Sequence, residues 1–264
     1  MRLARALFSL LALALVQGAT ACSRELVVGV SELGYGAYQR DGLWMGIVPE
    51  LIGELSQRSG CKLKLVGRPR ARVLLEFEQG QLDIITSVMR AADRERIGQF
   101  LPYAYAEQDL IVLGEPVPRT LDELRRMPEL KLGVVRGVRL SPKLDELINA
   151  MLASRQAEYS PDFDNLAVKL SAGRIRAALI PSVIHTKQRQ DGILPTQITV
   201  VDLPESQPEP IGIYVNRQQV ADDDLQQLAR HLEMLRREGR VVAIYQRHVG
   251  DAETRRLFRS EAAR

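Results

Sequence analysis

Pro49-Glu50-Leu51-Ile52-Gly53-Glu54-Leu55-Ser56-Gln57-Arg58-Ser59-Gly60-Cys61-Lys62-Leu63-Lys64-Leu65-Val66 holds a helix, its stop signal and the strand that follows. Proline pre-sets the backbone angle of a first helical turn, and Gly60 supplies the left-handed residue that ends a helix. Upstream, Leu26-Val27-Val28-Gly29-Val30 is a short apolar run with the length of a buried strand. Downstream, Ala71 to Gln79 has a helical pattern stopped by Gly80, and the apolar run Leu82–Ser87 comes next. Strand, helix, strand, helix, strand in this order implies a parallel sheet with right-handed crossovers.

A second block repeats the logic. Lys131–Val135 reads as a strand, and Ser141-Pro142 caps and opens a helix reaching about Ser154. A helix near Asn165 to Ala172 stops at Gly173 before the strand Ala177–Ile180. Further strands are expected at Asp109–Leu113, Ile198–Val201 and Ile211–Val215, and a last amphipathic helix at Asp223–Arg237. Extended segments near Gly114–Pro118 and Pro204–Pro210 would join the two units. The expectation is an α/β protein of two lobes, each a mostly parallel sheet flanked by helices.

The chain has 264 residues, 45% apolar and 26% charged, as expected of a globular protein of one large or two ordinary domains. Its formal net charge is +3. Residues 1–21 carry two Arg and no acid, so without them the balance is about +1. That weak field and the scarcity of aromatic residues argue against a nucleic-acid partner. Residues 1–21 read as an export signal: a basic start with Arg2 and Arg5, an apolar run Ala6–Val16 too short for a bilayer, and the cleavage-type Ala19-Thr20-Ala21. A periplasmic location is the consequence.

Cys22 would then lead the mature chain, and two readings stand for it. One is a lipid anchor, which is disfavoured by Ala19 where a large aliphatic residue is usual. The other is a disulfide to Cys61, which suits an oxidising compartment and is preferred. Each Cys lies just before an expected strand, Cys22 before Leu26–Val30 and Cys61 before Leu63–Val66, so if those strands are parallel neighbours the two Cys sit side by side.

Little conventional catalytic chemistry is visible. His185, His231 and His248 have no ligand spacing, Gly34-Tyr35-Gly36 lacks the rest of a dinucleotide turn, and no Ser sits in a nucleophile elbow. No metal or cofactor is expected. Arginine at strand ends is the notable feature: Arg68, Arg70 and Arg72 after the second strand, Arg90 and Arg94 after the third, Arg136 and Arg139 after Leu132–Val135. Open α/β sheets bind ligands at these carboxyl ends, and the guanidinium fork matches a carboxylate.

At this point the chain resembles the periplasmic solute-binding proteins of polar amino-acid ABC transporters, the family 3 type, over roughly residues 24 to 250. Five motifs in order carry the likeness. Tyr35 with Gly46-Ile47-Val48-Pro49-Glu50-Leu51 is similar to the family's aromatic site loop and first helix start. Gly80-Gln81-Leu82-Asp83, Asp93-Arg94 and Phe100-Leu101-Pro102-Tyr103 are similar to its most diagnostic stretch. Thr120-Leu121-Asp122-Glu123-Leu124 before Leu132–Gly137 looks like its second-lobe helix and glycine strand, and Arg236–Gly239 with Ile244-Tyr245 and Gly250 resembles its end.

The resemblance implies a type II two-lobed fold: a signal at 1–21, lobe one from 22–113 plus 209–254, lobe two from 114–208, and a tail from 255–264. It implies that Arg94 takes a ligand carboxylate, that Ser87 and Met89 offer contacts beside it, that Tyr35 forms an aromatic wall, and that Arg136 reaches in from the other lobe. Arg70 joins this set as a strand-end arginine. One departure concerns the ligand's ammonium. The family's Asp is replaced by Arg176 in lobe two and by Ser31 near the first strand, where the adjacent Glu32 could substitute. The implied function is capture of a small anionic or zwitterionic molecule by a monomer that delivers it to an inner-membrane ABC permease. The alternatives are a sensory binding protein feeding a receptor, and a periplasmic dehydratase on the same fold using Glu32 or Glu107 as its acid. No enzymatic activity is expected.

Overall fold

A computed structural model describes residues 22–138, 140–204 and 206–259; the export-signal reading at 1–21 lies outside the described residues, as does Arg139. The first half runs β1 (Leu26–Val30), a 3-10 turn (Gly34–Gly36), β2 (Tyr38–Arg40), β3 (Leu43–Met45), α1 (Ile47–Ser59), β4 (Leu63–Gly67), α2 (Arg70–Glu78), β5 (Ile84–Met89), α3 (Ala92–Glu95) and β6 (Gly98–Ala106). Next come β7 (Gln108–Leu113), α4 (Leu121–Arg125), β8 (Leu132–Val135), α5 (Pro142–Ala153), β9 (Ala157–Ser160), α6 (Phe163–Ser171), β10 (Ala177–Pro181) and α7 (Ser182–Gln190). The chain closes with β11 (Ile198–Asp202), β12 (Glu209–Asn216), α8 (Asp222–Arg237) and α9 (Arg240–Leu257).

The strands form two five-stranded sheets, ordered β4-β1-β5-β12-β6 and β11-β7-β10-β8-β9, with β2 and β3 as a separate hairpin. Each large sheet has a parallel part, β4-β1-β5 in one and β10-β8-β9 in the other. Antiparallel pairing enters with the strands that pass between lobes, β6 with β12 and β7 with β10 and β11. β7, placed in the first lobe by the sequence reading, pairs within the second sheet. The chain therefore crosses at Glu107, ahead of the Gly114–Pro118 segment.

Local signals account for most element ends. Gly60 closes α1 at φ 70°, in the left-handed region that favours glycine. Gly46 opens α1 at φ 113°, where a Cβ would lie 2.6 Å from the Tyr35 carbonyl oxygen. Thr120, Ser141 and Asp162 cap α4, α5 and α6 by accepting from the backbone N–H three residues on. α3 is a single turn, because Gly98 and Gln99 are drawn into β6 opposite Asn216 and Val215. The expected tail from 255 instead continues α9 to Leu257, beyond a kink at Gly250 (φ 80°, ψ 170°).

The Gly80–Asp83 turn has a structural purpose. Asp83 is 5% exposed; its carboxylate accepts from Val27 N (2.7 Å) and from Arg24 Nη1 (2.8 Å), which ties the start of β5 to β1. Beside it, Leu26 pairs with Leu63, and the Cys22–Cys61 disulfide joins the approaches to β1 and β4. Each sheet is covered by its own helices: Leu26, Leu51, Leu55, Leu228 and Ile244 lie in the core of the first lobe, and Leu110, Leu132, Ile148 and Leu179 in that of the second.

Candidate functional site

The loop after β5 carries most of the chemistry. Ser87 adopts a left-handed backbone (φ 53°), and its hydroxyl lies 3.0 Å from the Tyr103 hydroxyl on β6. Arg70, the first residue of α2, donates from Nη1 to Thr86 O (3.0 Å) and from Nη2 to Ser87 O (2.9 Å). Its Nε is enclosed and has no hydrogen-bond partner. Desolvation, and then the charge of Arg94, push the Arg70 guanidinium down to about 10. Burial pushes the Tyr103 hydroxyl up to about 12.

Arg94 is 6% exposed and is held by the short α3, with Nη1 3.4 Å from Met89 O. The segment before it is pinned from β12: Tyr214 Oη accepts from Ala91 N (2.8 Å) and donates to Ala91 O (3.2 Å). Tyr214 is fully buried, so this clamp fixes where the arginine begins its reach.

Arg70, Ser87, Met89 and Arg94 line one chamber, about 730 Å³ with its opening included. Tyr103, Gln108 and Tyr245 add the other polar groups from the first lobe and the crossover, while Val138, Phe163, Pro181, Val183 and Ile184 wall it from the second lobe. Most of the wall is apolar. Among the described lining residues no side chain is Asp or Glu.

An outer chamber adjoins it, sharing Leu33, Arg70, Phe163 and Ile184. Glu32 and Arg136 line this outer space, and both are exposed; the Arg136 guanidinium sits 4.9 Å from the Tyr159 ring centroid. Tyr35 lines neither chamber. It packs edge-on against Tyr38 at 6.4 Å and beside His248 at 6.1 Å, with Lys187 Nζ 5.8 Å from its ring. The predicted residues thus divide into four in the inner chamber, two at the outer one, and Tyr35 outside both.

The lobes meet above the chamber. A Cβ on Gly34, at φ +57°, would lie 2.5 Å from Ile184 Cα, so the 3-10 turn rests on α7. Lys187 on α7 also reaches over the Tyr38 ring at 4.3 Å. The two lobes are thus in contact beside the chamber.

Glu107, the other acid considered for a dehydratase, is buried. It is 1% exposed and faces away from the chamber: Arg259 Nη2 donates to its Oε1 (2.6 Å), and Arg256 lies 3.3 Å from Oε2. Burial raises the Glu107 pKa, against the pull of Arg256 and Arg259. Arg256 also forms two 2.9 Å bonds with Asp109, whose Oδ2 lies 2.6 Å from His185 Nε2. The arm after Gly250 is thereby bolted to the crossover.

Sequence reasoning missed Tyr103, Gln108, Phe163, Ile184 and Tyr245. Tyr103 and Tyr245 belong to motifs quoted for the resemblance. Gln108 reaches the chamber only because the crossover falls at Glu107, which no local pattern announces.

Known proteins share this fold. The model of the bacterial extracellular solute-binding proteins, family 3, matches residues 26–251, and the chain belongs to that family. Among solved structures, an arginine-, lysine-, histidine-binding protein, ArtJ, from Geobacillus stearothermophilus is 15% identical, with a TM-score of 0.72 over 86% of this chain and 96% of that one. A histidine kinase sensor domain with similarity to periplasmic binding proteins gives a TM-score of 0.71 at 18% identity, with the same two coverages. An ancestral amino acid-binding protein, a precursor of cyclohexadienyl dehydratase, gives 0.69 at 18%, covering 85% of this chain and 95% of that one. A search of the curated proteins found no match. These likenesses establish the two-lobed periplasmic-binding fold.

Proposed function

We propose that this chain is an exported, periplasmic solute-binding protein that captures a small carboxylate-bearing molecule, an amino acid or related organic acid, between its lobes and presents it to an inner-membrane ABC permease. One observation carries the reading: two arginines, Arg70 and Arg94, face a single chamber closed over by the second lobe. In this scheme Arg94 anchors the carboxylate, Ser87 and the Met89 backbone flank it, and the apolar wall takes the ligand's body. A guanidinium in an enclosed site binds a carboxylate strongly because neither group is then shared with water.

The likeness to a histidine kinase sensor domain supports a second reading, in which the closed form is presented to a signalling receptor. A dehydratase would need an acid in the chamber. Glu32 opens on the outer space and Glu107 is committed to Arg259, so neither is disposed for that role.

A thermal-shift screen of amino acids, dicarboxylates and aromatic acids tests the proposal. A true ligand at a hundred times its Kd adds about 2.7 kcal/mol to stability and raises Tm accordingly. Arg94→Ala should weaken that ligand about 30-fold or more, since removing one partner of a buried charge pair costs roughly 2–5 kcal/mol. No shift with any carboxylate, or a folded Arg94→Ala protein with undiminished affinity, contradicts the assigned site.

A further inference from the structure

We infer that the ligand carries a second carboxylate, which reaches from the inner chamber into the outer one and is received there by Ser31 and Arg70 of the first lobe and Ser160 of the second. The inference rests on the solute-binding reading above and narrows the ligand to a dicarboxylic molecule.

Three enclosed polar atoms point to such a group. Ser31 Oγ, Ser160 Oγ and Arg70 Nε are each buried without a hydrogen-bond partner in the protein. Ser31 is 4% exposed and Ser160 1%, and both line the outer chamber together with Arg70, which also lines the inner one. All three stand at the carboxyl ends of parallel strands, where open α/β sheets bind ligands. Ser31 follows β1, whose last residue, Val30, pairs with Gly67 and accepts from Arg68 N (2.9 Å), just ahead of Arg70. Ser160 ends β9 opposite Val135, and its carbonyl accepts from Arg136 N (3.0 Å).

A buried donor without a partner destabilises the fold, and a ligand group that completes its hydrogen bond removes that cost on binding. Arg70 Nη1 and Nη2 already donate to Thr86 O and Ser87 O, but those carbonyls are neutral and do not cancel the guanidinium charge. A carboxylate suits the set: it only accepts, it can take one N–H and two O–H donors together, and its charge is opposite to that of Arg70. A hydrocarbon tail would leave all three donors unmet. Acids of the outer chamber are engaged elsewhere, Asp162 with Asn165 N (2.7 Å) and Asp191 with Lys187 Nζ (2.6 Å). Leu33, Phe163 and Ile184 line both chambers and offer an apolar passage for the carbon chain between the two carboxylates. Because Ser31 and Ser160 belong to different lobes, the second carboxylate is fully held only when the lobes meet, which makes selectivity part of capture.

The test compares molecules that share a skeleton and differ only at the far end. Calorimetry on the refolded, ligand-stripped protein would set glutarate against pentanoate, adipate against hexanoate, L-glutamate against L-norvaline and L-2-aminoadipate against L-norleucine, with L-glutamine as the uncharged counterpart of glutamate. In the best-fitting pair the diacid should bind at least about 30-fold more tightly than its monoacid. Ser31→Ala and Ser160→Ala should each cut that diacid preference about 10-fold. Neither substitution removes a hydrogen bond of the protein, so the urea midpoint of the ligand-free chain should hold or rise. A lowered midpoint with an unchanged diacid preference would show that the two hydroxyls serve the fold and overturn the inference. Glutamine binding as tightly as glutamate overturns the second charge. Diacids no tighter than monoacids in every pair overturn the inference and leave the carboxylate-binding reading intact. That reading falls only if the thermal-shift screen finds no carboxylate at all.

Discussion

Single residues in this protein set where charge is presented to a ligand. Arg94 emerges from one turn of helix, so its position depends on the Tyr214 clamp on Ala91 more than on helix geometry. Tyr214→Phe leaves the buried Ala91 N–H without its acceptor, which should cost about 1–3 kcal/mol in urea unfolding and weaken ligand binding together. A loss of stability with unchanged affinity would show that the clamp does not position Arg94. Gly34 is a second such point, since any side chain there meets the Ile184 backbone. Gly34→Ala should weaken ligand binding about 10-fold or more by obstructing closure, on top of the roughly 1–2 kcal/mol that a Cβ at this positive φ costs the ligand-free protein in unfolding. Arg94 and Arg70 were legible in the sequence because a strand-end arginine is chemically conspicuous. Gln108 was not, because its importance comes from where the chain crosses between sheets.

At the scale of elements, the most legible parts were those with punctuation in the sequence. β1, α1 and β4 follow from apolar runs bounded by Pro49 and Gly60, and the pairing of Leu26 with Leu63 brings Cys22 to Cys61 as expected. Replacing both cysteines by serine should lower stability by up to about 4 kcal/mol, the chain-entropy value for closing a loop of this size, measured by urea unfolding under oxidising conditions. An unchanged midpoint would contradict a structural role for the bridge. Elements without local signals were missed. β6 contains Pro102 and shows no alternation, and its strand state is imposed by β12 along its length. The buried positions of α7 include His185 and Gln188, so its sequence lacks the apolar stripe that marks a helix. The arm after Gly250 is held by ions as well as by Leu257 and Phe258, which are buried in the core of the first lobe. Arg256→Ala should therefore destabilise the protein by roughly 3–5 kcal/mol, because it strips a partner from the buried Asp109 and Glu107.

For the whole molecule, the two sheets are separate cores joined at the crossovers, and the ligand chamber exists only where the lobes come together. Neither half of the site is complete alone: the arginines belong to the first lobe, and Val138, Phe163 and Ile184 to the second. If the ligand sits in this chamber as proposed, its binding and lobe closure are coupled, since a ligand shifts an equilibrium by its differential affinity for the two states. Small-angle scattering on the stripped protein, without and with a saturating carboxylate identified by thermal shift, measures that coupling directly. The radius of gyration should fall on ligand addition for the wild-type chain and stay at the ligand-free value for Arg94→Ala at the same concentration. An identical scattering profile for the wild-type protein with and without bound ligand would contradict capture between closing lobes.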